Sequence, residues 1–211
     1  SLTQGRATYS MHFHRYEQVP AATAEELVAR AGATFVNDHI AFRTLACQSP
    51  FDGIAAVGRV FGALGYQAAG CYSFADKQLS AVHFQHPRPG FPKLFVSELE
   101  LWNLGGAERR ILLRAVRSHR PPLGDGVLAA LAGVANESQA ARDKLLARLV
   151  RYFHQLPWDT PARKDVEAVN QASQYAAWVL VHGYNVNHFT ALVNSHGAAA
   201  LDDIEKTAQR L

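Results

Sequence analysis

The residues whose placement could do chemistry are two histidines and an arginine. In "NDHIAFRTL", residues 37–45, His39 and Arg43 interrupt a run of apolar and β-branched residues that alternates with a period of two, the pattern of a strand. Alternation puts His39, Ala41, Arg43 and Leu45 on one face and Ile40, Phe42 and Thr44 on the other. The Cα atoms of His39 and Arg43 are then roughly 13 Å apart, at about 3.3 Å per residue, a span much of which an arginine can bend back across. In a later run, "VNHFTALVN", His188, Thr190 and Leu192 share a face against Phe189, Ala191 and Val193. Two strands that each offer one imidazole can hold a metal between them. Imidazole suits Fe, Zn, Cu and Ni, and two histidines with one carboxylate and open positions point to non-haem Fe(II).

Each of these residues also has a plainer reading. A lone strand histidine is more often a hydrogen-bonded structural residue than a ligand. Arg43 could ion-pair with a carboxylate on a neighbouring strand, Glu98 or Glu100 of "VSELEL"; its functional reading is recognition of a substrate carboxylate by the bidentate guanidinium fork. His182 precedes Gly183 and suits a helix end, His86 lies at a turn, and His83 lies in a strand where it could line a cavity or serve structure. His12, His14, His119, His154 and His196 have no supporting context.

The elements that must position these side chains follow from periodicity. "TAEELVARAG" (23–32) begins with a Thr cap and a Glu three positions on, and stops at Gly32, so it is read as a helix. After the first strand, "FDGIAAVGRVFGALGY" has helical spacing, and "QAAGCYSF", "LSAVHFQHP" and "KLFVSELEL" are strand-like. Residues 106–180 are helical in character: "GAERRILLRAVRSH", "GDGVLAALAG", "SQAARDKLLARLVRYFHQL" and "PARKDVEAVNQASQYAAWVLVHG" carry apolar residues at three- and four-residue steps. "GYNVNHFTALVNS" is again a strand and "GAAALDDIEKTAQRL" again a helix. The strand bearing His39 and the strand bearing His188 are thus each followed by a helix, a weak internal repeat. A second unit completed like the first would need three more strands after residue 211, so the sequence reads as cut short.

Composition narrows the class. At 211 residues with 48% hydrophobic content, a packed core is expected. The net charge of +3 suits an anionic small molecule, and no Lys/Arg stripe interleaved with aromatics points to nucleic acid. Two cysteines make neither a disulfide framework nor a Cys-based zinc site, and no run of about 18 apolar residues or signal-peptide core is present, so a cytoplasmic protein without a membrane span is expected.

At "VNDHIAFRTL", "FPKLFVSEL" and "HGYNVNHFTALVN" the sequence resembles the 2-oxoadipate dioxygenase/decarboxylase family, relatives of the vicinal-oxygen-chelate superfamily with glyoxalase-like folds. The likeness runs from about residue 20 to the end. It implies an α+β fold: one metal-site domain over 1–211, with a βαβββ module and its preceding helix at 23–105, a helical insertion at 106–180, and the start of a second module at 181–211. It implies an Fe(II) enzyme whose partners are a small-molecule 2-oxo acid and O2, converting 2-oxoadipate to 2-hydroxyglutarate and CO2. His39 and His188 would be iron ligands and Arg43 would bind the substrate carboxylate, so that all three contact the substrate. The family's third ligand is a glutamate on a late strand well beyond the second histidine, a position this sequence does not reach. Either the chain is a fragment or the domain is a degenerate copy; the glyoxalase-type fold also offers a fallback, a carboxylate ligand on the fourth strand of the first module, where Glu98, with Glu100 behind it, would be the substitute. The competing functions are a glyoxalase-like isomerase or hydrolase using Zn or Ni, and an inactive or binding domain.

Overall fold

The strand around His39 runs over Asn37–Ala46 (β1) and is followed by a helix at Gly53–Ala63 (α1) and by three further strands, Gln67–Phe74 (β2), Leu79–Gln85 (β3) and Lys93–Glu100 (β4). This is the expected strand–helix–strand–strand–strand module. The computed structural model describes residues 36–47, 52–120 and 123–192, with positions 32, 195, 197–199 and 203 besides. The helices read at 23–32 and 197–211 lie, apart from those isolated positions, outside the described residues. Residues 37–191 make one compact unit; the other comprises 1–36 and 192–211.

Five strands form one sheet in the order β2-β3-β4-β1-β5, where β5 is Val186–Ala191. β4 runs parallel to β1 and the other pairings are antiparallel. The parallel pairing closes the module back on its first strand, and β5 takes the opposite edge of β1. Register decides which side chains share a face, because residues directly opposite across a ladder point the same way. Lys93, Phe95, Ser97 and Leu99 stand opposite His39, Ala41, Arg43 and Leu45. Across β5, His188 stands opposite Ala41 and Thr190 opposite His39, with register shifts on either side.

The other face of the sheet is apolar and packs on α1. Phe42, Phe84, Leu94 and Val96 meet Ala56 and Val57, with Tyr184 buried among them. The helical insertion is built from Gly106–Ala115 (α2), Asp125–Ala132 (α3), Gln139–His154 (α4), Arg163–Ala172 (α5) and Gln174–His182 (α6). Val127, Leu131 and Leu145 of α3 and α4 pack on Val60 of α1. Leu112, Val169, Ala176 and Val179 of α2, α5 and α6 bury Leu45 and Leu99. Burial of this kind contributes about 25 cal/mol per Å² of apolar surface and sets the sheet's position.

The structure departs from the periodicity reading in one place. Residues 161–183 read as a single helical run, but Ser173 is extended (φ −152°, ψ 103°) and separates α5 from α6. Its hydroxyl accepts from the Ala176 N–H, so an interior serine acts as the N-cap of a second helix. α6 ends at Gly183, whose φ of +60° turns the chain into β5 and whose missing side chain leaves room for Pro157.

Gly183→Ala should therefore lower stability by about 1–3 kcal/mol, from the strained φ and the contact with the Pro157 ring. Chemical denaturation measures it, and an unchanged midpoint would refute the packing account.

Candidate metal and anion site

The face of β1 that carries His39 borders a cleft of about 540 Å³. Among its lining residues are His39, Arg43, Phe95, Ser97, Tyr175 and His188. The sequence expectation that His39, Arg43 and His188 meet is thus realised. The two imidazoles lie with ring centres 5.8 Å apart at 73°. A metal roughly 2.1 Å from an imidazole nitrogen lies about 3.2 Å from the ring centre, so two ligating rings have centres no more than about 6.4 Å apart. The observed spacing lies within that limit.

Each ring is held by the residue before it. Asp38 Oδ2 accepts from His39 Nδ1 at 2.8 Å and Asp38 Oδ1 accepts from Lys93 Nζ at 3.3 Å. The His39 hydrogen bond, then Lys93, hold the Asp38 carboxyl below its ordinary range against the opposing effect of burial. An ionised Asp38 keeps the proton on Nδ1 and leaves the Nε2 lone pair for a ligand. Asn187 Oδ1 accepts from His188 Nδ1 at 2.7 Å, repeating the arrangement with a neutral acceptor. Desolvation, with His39 and Arg43 adding to it, lowers the His188 pKa, which favours the neutral, ligating imidazole. Asn187 Nδ2 is buried without a hydrogen-bond partner, a donor that a bound acceptor would satisfy. The signal that could have found Asp38 and Asn187 was in the sequence: both strands read acid or amide, then histidine.

Arg43 is half-buried, and among the described residues no carboxylate pairs with it. Its guanidinium carbon lies 5.2 Å from the Tyr175 ring centre and 5.6 Å from that of Trp178, both on α6. In the sequence both aromatics have only the spacing of apolar helix positions. Lys77, on the turn after β2, supplies a second cation to the cleft, while Phe74, Leu79, Ala81 and Phe95 give it an apolar wall.

The carboxylates expected near this site are elsewhere. Glu98 stands opposite Thr44, and so on the face away from His39 and Arg43. Glu98 Oε2 accepts from the Ile54 N–H at 2.8 Å, satisfying a free donor at the start of α1. Gly53 permits this approach, since a side chain there would collide with the carboxylate. Glu100 accepts from Ser80 Oγ and Asn103 Nδ2. Neither is a substitute metal ligand, and neither neutralises Arg43. Among the described residues no group of three His, Cys, Asp or Glu surrounds one point. His83 stacks on Phe95, the ring that also meets His39, and contacts the Tyr72 hydroxyl, while His119 bonds the Tyr184 hydroxyl.

A family model described as 2-oxoadipate dioxygenase/decarboxylase matches residues 9–211. The chloroplastic/amyloplastic 2-oxoadipate dioxygenase/decarboxylase of Oryza sativa subsp. japonica is 29% identical over 181 residues, covering 81% of this chain and 43% of that protein. The chloroplastic Arabidopsis thaliana protein of the same name is 26% identical over 168 residues, covering 74% and 39%. The chain thus spans less than half the length of these curated relatives. Among solved structures, hydroxyglutarate synthase in complex with 2-oxoadipate from Oryza sativa superposes with a TM-score of 0.70 at 25% identity, covering 90% of this chain and 57% of that one. A protein from Ralstonia eutropha JMP134, described as of the glyoxalase superfamily, gives 0.72 at 25% identity, covering 81% and 55%. No helix among the described residues is long and apolar enough to cross a membrane.

Burial raises the Glu98 pKa, opposed by the Ile54 hydrogen bond and reinforced by Asp52 and Glu100. A raised folded pKa means the ionised form costs stability, so stability falls as pH rises from the unfolded value of about 4.3 through the folded one. Glu98→Gln keeps an acceptor without the charge. Melting both proteins between about pH 4 and 7 should show the variant gaining on the wild type across that window; a constant difference would contradict this placement.

Proposed function

The chain belongs to the 2-oxoadipate dioxygenase/decarboxylase family, and we propose that it forms part of an Fe(II)-dependent enzyme that oxidatively decarboxylates and hydroxylates a 2-oxo dicarboxylate. The reaction is 2-oxoadipate + O2 → 2-hydroxyglutarate + CO2, in which atoms balance without an external reductant. The observation that carries the reading is the pairing of two imidazoles, each with Nδ1 already engaged, in one cleft with a half-buried arginine that no carboxylate among the described residues neutralises. The 2-oxoadipate held by the rice hydroxyglutarate synthase supports the choice of substrate.

His39 and His188 would hold the metal through Nε2. Bound Fe(II) supplies a Lewis-acidic centre for the 2-oxo acid head group and a site for O2 reduction by the electrons released with CO2. Asp38 and Asn187 fix the tautomers so that neither ring needs to reorganise. Arg43 offers two parallel N–H donors to a carboxylate and so fixes the substrate's orientation. The wall of Phe74, Leu79, Ala81 and Phe95 suits the methylene chain and limits water around it. The third ligand of a two-histidine, one-carboxylate set would come from outside the described residues. The free thiols of Cys47 and Cys71 suit a reducing compartment such as the cytoplasm.

His39→Ala or His188→Ala should abolish stoichiometric Fe(II) binding in an anaerobic titration, and Asp38→Ala should weaken it about 10–100-fold. Full iron occupancy in either histidine variant would remove the ligand assignment. Turnover of 2-oxoadipate should consume one O2 per CO2 released, as read by an oxygen electrode; product without O2 uptake would indicate a glyoxalase-like isomerase instead.

A further inference from the structure

An arginine half-buried among apolar side chains, without a carboxylate, is costly to hold in one geometry. Among the described residues, Arg43 is met by two aromatic rings and by no carboxylate. Both guanidinium-to-ring distances, 5.2 Å to Tyr175 and 5.6 Å to Trp178, fall within the roughly 6 Å over which a ring face attracts a cation. Attraction to a ring face uses none of the guanidinium's N–H groups in conventional hydrogen bonds, so they remain for a ligand.

The rings are themselves fixed. The Tyr175 hydroxyl accepts from the Thr44 N–H at 3.2 Å and lies 2.8 Å from Ser97 Oγ, which in turn donates to the Phe42 carbonyl. Tyr175 thereby pins the start of α6 to β1 and β4 beside Arg43. Burial pushes its pKa up to about 12, so the hydroxyl stays protonated and the ring uncharged. Trp178 follows one turn later on the same helix face and also packs on the His182 ring, with centres 4.8 Å apart. The Ser173 cap that starts α6 anew sets this pair's phase toward the sheet.

We propose that Tyr175 and Trp178 are positioning residues that hold the Arg43 guanidinium as a preorganised carboxylate clamp, so that the helical insertion sets the anion selectivity of the site. This rests on the reading of Arg43 as the substrate-carboxylate group. A lysine at 43 cannot replace it, because a point charge has no planar fork to stack and present.

The test uses glutarate, a dicarboxylate without a 2-oxo group, titrated calorimetrically into the Mn(II)-loaded protein. Trp178→Leu and Tyr175→Leu should each weaken glutarate binding about tenfold, while Trp178→Phe, which keeps a ring face, stays within about twofold. Mn(II) affinity, read separately, should be unchanged in all three, and Trp178→Leu should have no further effect once Arg43→Ala is present. In turnover, KM for 2-oxoadipate should rise with kcat nearly constant, because an interaction made equally in ground and transition states is lost. Equal glutarate affinity in wild type and the leucine variants overturns the inference and leaves the proposed function standing. Loss of Mn(II) binding along with glutarate binding also overturns it, since the residues would then act through the fold. No glutarate binding by the wild type removes the carboxylate reading of Arg43 itself.

Discussion

The antiparallel pairing of β5 with β1 is the contact on which the candidate site depends. It sets His188 opposite Ala41, one position from His39 on the same face, and brings together side chains from opposite ends of the described chain. Parallel pairing of β4 on the other side of β1 adds Phe95 and Ser97 to that face. A slip of one residue in either ladder would turn an imidazole, or the cleft's wall, to the helix-packed side. The core clusters on α1 and on the helical insertion make such a slip costly, so apolar packing fixes the chemistry's coordinates.

Within that frame the polar groups divide into two kinds of support. The imidazoles are held by short-range neighbours, Asp38 and Asn187, that belong to the same strands. Arg43 is held from a distance by α6, an element separated from β1 by more than a hundred residues of sequence. The two imidazoles thus depend on the sheet alone, whereas Arg43 also depends on the helical segment that carries Tyr175 and Trp178. Asp38 and Asn187 differ in charge, so the two rings are not equivalent: one donates to a carboxylate and the other to an amide oxygen.

What was legible in the sequence was what repeats locally. Alternation located all five strands and placed His39 with Arg43, and the likeness of the two histidine strands located His188. Face assignment between strands was not legible. Alternation alone puts Glu98 and Glu100 together, but only the ladder, with Thr44 opposite Glu98, shows that they face away from the cleft. That parity also disposes of the ordinary explanation for Arg43, an ion pair across the sheet. The α5–α6 break at Ser173 escaped because apolar spacing continues through it, and the cap is made by one hydroxyl. Tyr175 and Trp178 escaped because an aromatic that stacks on a cation has the same spacing as one that fills a core.

The central claim is that His39 and His188 bind a single ion through Nε2. Anomalous diffraction at the iron edge, from crystals loaded with Fe(II) under anaerobic conditions, tests it directly. The account predicts one peak roughly 2.0–2.2 Å from Nε2 of both residues. A peak bound to one histidine alone, or lying on the Glu98 side of the sheet, would contradict it.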